Sequence, residues 1–62
     1  MTNTVKLERT RLGFTQEELA KKIRVSRQTI NSIEKGRYAP STELALRMSA
    51  VFGVSVNDFF SL

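Results

Sequence analysis

The chain contains no cysteine and no histidine. Without cysteine, disulfides and thiolate metal sites are excluded. Without histidine, the commonest general base and the commonest metal ligand are both missing. Six acidic residues are scattered along the sequence, and none has a histidine or cysteine to work with. They form no acid–base pair and no nucleophile–base set, so neither an enzyme nor a metal or cofactor is expected. Long apolar runs are lacking too. None approaches the ~20 residues that span a bilayer, and the opening MTNTVKLERT has no apolar core of a signal peptide. The expectation is a cytoplasmic protein without membrane contact. Its 62 residues suffice for one domain, 1–62, of marginal stability when alone.

What is present is positive charge, unevenly placed. The net charge is +4, yet residues 1–37 hold nine of the ten lysines and arginines against four of the six acids. Between 21 and 37 stand Lys21, Lys22, Arg24, Arg27, Lys35 and Arg37, with Glu34 the one acid. A one-sided positive field suits a polyanion, although on charge alone a solvated surface is the better reading.

Apolar residues recur at helical spacing, with turn residues between. The pattern predicts five helices in a compact all-α domain. The first runs from about Thr4 to Leu12, with Val5, Arg9 and Leu12 on one face and Gly13 as its left-handed end. Thr15-Gln-Glu-Glu18 is a capping box that opens the second, whose stripe is Leu19, Ala20 and Ile23. Ser26 caps the third, Arg27 to Lys35. At about 100° per residue, Ile30 and Ile33 fall together on its buried side, opposite Gln28, Asn31, Ser32 and Lys35. Arg37 to Pro40 is a loop. Ser41 caps a fourth helix to about Phe52, with Leu44, Ala45, Met48, Val51 and Phe52 inward. Ser55 to Asp58 opens a last turn of helix carrying Phe59 and Phe60.

The runs GFTQEELA (13–20), VSRQTI (25–30), IEKG (33–36), PS (40–41) and FGVS (52–55) together resemble the helix-turn-helix domain of the Cro/CI repressor family, also called the XRE family. The resemblance covers Val5 to Phe60. It implies a five-helix lambda-repressor-like fold. It also implies a sequence-specific regulator of transcription, a dimeric repressor reading a pseudo-palindromic operator of double-stranded DNA through the major groove. Ala20 is small where the two helices of the unit cross. Arg24 departs from the family, which usually has glycine in that turn. If the turn is left-handed, the side chain costs about 1 kcal/mol. Similar repressors pair a first-helix arginine with the acid at the position of Glu34, and Arg9 matches that arginine.

By the same resemblance, Arg27, Gln28, Thr29, Asn31 and Ser32 lie at or near bases. The chemistry is suitable. A glutamine or asparagine amide pairs with adenine N6 and N7, arginine takes guanine O6/N7 or a phosphate, and serine contacts any base. Gln16 opens a helix, where free N–H groups and the dipole favour a phosphate, and similar repressors place a glutamine there on the DNA backbone. Lys35, Arg37 and Tyr38 follow the third helix along the phosphate track, whereas Lys21 and Lys22 face solvent. Phe59, Phe60 and Leu62 crowd the end of the chain. They either complete the monomer core or join Val54 and Val56 in a homodimer contact. Nothing in the sequence points to a small-molecule ligand.

Overall fold

Capping side chains set most of the helix boundaries in the computed structural model, which describes residues 2–61. The elements are β1 (Thr2–Asn3), α1 (Val5–Arg11), α2 (Gln16–Ile23), α3 (Arg27–Glu34), α4 (Thr42–Phe52), α5 (Val56–Phe59) and β2 (Phe60–Ser61). At α2 the capping box is complete. The Glu18 N–H donates to Thr15 Oγ1 at 3.0 Å, and the Thr15 N–H donates to Glu18 Oε1 at 2.8 Å. Ser26 Oγ accepts from the Thr29 N–H at 3.1 Å to open α3, and Ser41 Oγ from the Leu44 N–H at 3.2 Å to open α4. Each satisfies one of the N–H groups that a helix start leaves without a partner.

Arg24, between α2 and α3, has φ 63° and ψ 45°, the left-handed conformation. It is the one described residue other than glycine with positive φ. The strain comes with a compact turn, in which the Val25 N–H reaches the Ala20 carbonyl at 3.0 Å. Leu19, Ala20 and Ile23 of α2 and Ile30 and Ile33 of α3 are all buried against one another and against Met48, Phe52 and Phe59.

Two expectations need correction at the ends of the chain. α1 starts at Val5, and the Thr4 side chain makes no capping hydrogen bond. Instead Asn3 Oδ1 accepts from the Val5 N–H at 3.1 Å, and Asn3 Nδ2 donates to the Ile33 carbonyl at 2.8 Å. Asn3 therefore starts the first helix and ties it to the end of the third. Leu12 is not on the buried face with Val5 and Arg9; it is the C-cap of α1 and is exposed. Phe60 is not helical either. It leaves α5 with φ −125° and ψ 140° and pairs with Asn3, while Ser61 pairs with Thr2, in a two-stranded antiparallel ladder. The Thr4 N–H extends that ladder to the Phe59 carbonyl at 3.0 Å.

Phe59 is 2% exposed, with its ring edge-on to Phe52 at a centroid distance of 5.2 Å. Of the two roles open to it, it fills the monomer core, so it is removed from the dimer-contact set. Val54, Val56 and Phe60 remain partly exposed. Leu62 lies outside the described residues.

Two arginines close helix ends that hydrophobic periodicity does not mark. Arg11 Nη2 donates to the Phe52 carbonyl at 3.2 Å, and Arg47 Nη1 to the Ile23 carbonyl at 3.3 Å. Each places positive charge at the negative pole of a helix.

Candidate nucleic-acid interface

Ile30 and Ile33 are fully buried and hold α3 to the body by one side. Its other side is polar. Arg27 and Gln28 are exposed, and Asn31 and Ser32 are partly exposed. Thr29 is half-buried, with its hydroxyl 3.0 Å from Ser26 Oγ and its N–H committed to the same oxygen. The cap of α3 thus occupies Thr29, and the free edge of the helix is Arg27, Gln28, Asn31 and Ser32.

Below this edge lies a charge network linking three elements. Arg9 Nε donates to Glu34 Oε2 at 2.7 Å, and Arg9 Nη2 to Glu34 Oε1 at 3.4 Å. The two side chains are 10% and 5% exposed. Arg9 Nη1 donates to the Phe14 carbonyl at 2.7 Å, just before the Thr15 cap. Gln16 Nε2 completes the set, donating to Glu34 Oε1 at 3.0 Å and Asn31 Oδ1 at 3.4 Å. Among the described residues no buried side-chain nitrogen or oxygen lacks a partner. Burying these charges is tolerable because every one is hydrogen-bonded. The network joins α1, the start of α2 and the outer side of α3, so it sets how far and at what angle α3 stands out.

Gln16 is therefore not idle. Its side-chain Nε2 is committed to Glu34 and Asn31, which leaves its backbone N–H at the start of α2 as a donor available to an anion. Sequence reasoning placed Arg9 and Glu34 together but missed Gln16 as their third member. Nothing in its own spacing marks that role, because the carboxylate it meets comes from another helix. It missed Asn3 as well, although an asparagine two residues before a helix start is a known capping signal.

Positive groups flank the edge. Lys35 and Arg37 are exposed beyond the end of α3, and Tyr38 stands beside them, 47% exposed. Arg24 is exposed on the other side, at the turn before α3. Lys21 and Lys22 are exposed on α2, with Lys22 Nζ 4.8 Å from the centre of the Phe14 ring. Glu18 is held below the usual carboxylate range, first by the Thr15 N–H, then by the Thr15 hydroxyl, with smaller help from Lys22 and Lys21. That carboxylate serves the cap and is no proton carrier at neutral pH. No group of three or more metal-ligating side chains occurs among the described residues, and no described helix is long and apolar enough to cross a membrane.

A family model described as helix-turn-helix matches residues 5–59, from the start of α1 to the end of α5. The chain belongs to the helix-turn-helix family. Within it, the chain is 52% identical over 60 residues to an uncharacterized HTH-type transcriptional regulator of Methanocaldococcus jannaschii, covering 97% of this chain and 91% of that one. It is 45% identical over 62 residues to the uncharacterized HTH-type transcriptional regulator YgzD of Bacillus subtilis, covering 100% and 94%. Among solved structures, the clp gene regulator ClgR of Corynebacterium glutamicum superposes with a TM-score of 0.80 at 35% identity. A hypothetical transcription factor from Neisseria, NHTF, superposes with a TM-score of 0.79 at 28% identity. Both alignments cover 87% of this chain but only 57% and 61% of the solved chains, so this helix-turn-helix unit spans less than two thirds of each.

Proposed function

We propose that this protein is a sequence-specific transcriptional regulator that places α3 in the major groove of double-stranded DNA. The observation that carries this reading is the uncharged-to-basic edge of α3, held away from the core by capped ends and by the Arg9–Glu34–Gln16 network. Gln28 is the foremost base-reading residue, with Arg27, Asn31 and Ser32 beside it and Thr29 in support. Lys35, Arg37, Tyr38 and the N–H of Gln16 hold phosphates. Phosphate contacts add affinity that falls with salt, and base contacts add preference. The reading requires the compartment that holds the DNA.

The same reading makes the protein a homodimeric repressor that covers a promoter. Two copies would engage half-sites about one DNA turn, ~34 Å, apart. Val54, Val56 and Phe60 are the contact residues, together with Leu62. An apolar groove of about 720 Å³ that Val56 and Phe60 line together with Pro40, Ala45 and Leu46 supports this choice of face.

Selection of bound DNA from a random pool at fixed salt is the test. The expected outcome is a two-fold symmetric motif. Gln28→Ala should cost about 1–3 kcal/mol on that motif and relax one base position per half-site. Lys35→Ala should weaken all sequences alike and flatten the salt dependence. An unstructured pool after selection would reject the proposal, and a motif without symmetry would reject the dimer.

A further inference from the structure

The chain has six arginines, and the structure divides them evenly. Arg9 is held by Glu34, Arg11 by Glu8 and Arg47 by Glu43. Arg24, Arg27 and Arg37 are exposed and have no hydrogen-bond or ion-pair partner among the described residues. The guanidinium charge that the fold leaves uncompensated therefore brackets α3. Arg24 and Arg27 stand at its start and Arg37 beyond its end.

Of these three, Arg24 has no role so far, and it sits where an arginine is costly. Its backbone is left-handed, with φ 63°, a conformation that glycine takes without steric cost and arginine does not. A structural use for the side chain would be to offset the negative pole of α2. That pole is already served. Arg47 Nη1 donates to the Ile23 carbonyl at 3.3 Å, and the N–H groups of Arg24 and Val25 both reach the Ala20 carbonyl. Strain kept without a structural return points to a role outside the fold. The place of Arg24 suggests which one. It stands three residues ahead of Arg27, the first residue of α3, with the Ser26 cap between them. A recognition helix reaches base edges with its N-terminal residues, so the turn ahead of it comes down beside the phosphates of the groove wall. A guanidinium binds such a phosphate through parallel N–H bonds.

We propose that Arg24 is a phosphate-binding residue of the DNA interface, holding the backbone at the start of α3 as Lys35 and Arg37 do beyond its end. The inference rests on the DNA-binding reading above. Backbone contacts on both sides of α3 fix its register on the duplex and read no sequence. At Arg24 the chain thus gives up some folding stability for affinity.

The test measures Tm and DNA binding on the full chain and four variants. Binding is titrated across a salt series, on the selected motif and on an unrelated duplex of equal length. Arg24→Gly removes both the charge and the strain, so it folds. Arg24→Gln removes the charge and keeps the strain. Each should weaken both duplexes alike, by about fivefold, and make the log–log salt slope shallower by about 0.9. Arg24→Gly alone should raise the Tm. Arg24→Lys should retain most of the affinity and the slope. Lys21→Gln removes one charge from the exposed side of α2 and should do much less. Unchanged affinity and slope in Arg24→Gly and Arg24→Gln would overturn the contact, as would an equal loss in Lys21→Gln. A loss confined to the motif would overturn it too, because a phosphate contact acts on every sequence. In each of these cases the regulator reading stands. Failure of the unaltered protein to bind either duplex would remove both.

Discussion

The two halves of this molecule are stabilised by different means. From α1 to α3, polar groups do the positioning: the Thr15–Glu18 box, the Ser26 cap, the Arg9–Glu34 pair and Gln16. From α4 to β2, aromatic burial takes over, with Phe52 and Phe59 edge to face and Phe60 tilted against Phe59 at 5.1 Å. Polar networks are directional, and apolar packing is not. The half proposed to aim side chains at DNA is built from directional contacts. The other half supplies the aromatic part of a core that both halves share.

One substitution in each half tests this division, and these two carry the largest effects. Glu34→Ala should destabilise by about 3–5 kcal/mol, because it leaves the Arg9 guanidinium buried without its counter-charge. Replacing both members together, as in R9M/E34L, should recover much of that loss, and urea unfolding of the three variants measures it. Phe59→Ala should also lose about 3–5 kcal/mol, through a cavity in the core. No second replacement of polar type should rescue it. Equal rescue in both halves would break the comparison.

A smaller effect of opposite sign is expected at the turn. Arg24→Gly relieves the left-handed strain and should raise stability by about 1 kcal/mol, read as a higher Tm. The smallest effect concerns acid. Glu18 is held below its ordinary range in the folded chain. Its contribution is therefore present above the unfolded carboxylate range and is lost as pH falls through the folded value. Glu18→Gln should remove that part of the acid-side slope and leave stability near neutral pH only slightly changed.

The same division explains what was legible in the sequence. The α2–α3 unit could be read because its start signals are side chains at fixed offsets: Thr15 to Glu18, Ser26 to Thr29. Ile30 and Ile33 then set which face is free. The ladder of Thr2–Asn3 with Phe60–Ser61 could not be read, since two residues per strand show no alternation, and partners 57 and 59 positions apart share no local signal. Phe59 and Phe60 looked alike in the sequence. Only the turn of chain after α5 assigns one to the core and the other to the rim. The inward commitment of Gln16 depends on where a carboxylate from another helix lies, and spacing along one helix does not encode that.

The ladder also bears on how the chain folds. Contacts within and between α2 and α3 close short loops, whereas pairing Thr2 with Ser61 closes nearly the whole polypeptide. Closing a long loop is entropically costly and is repaid late. The ladder is therefore expected to form after the helices have assembled. Asn3, which sits in that ladder and reaches the last turn of α3, would then be the final contact to settle the helix proposed to enter the groove.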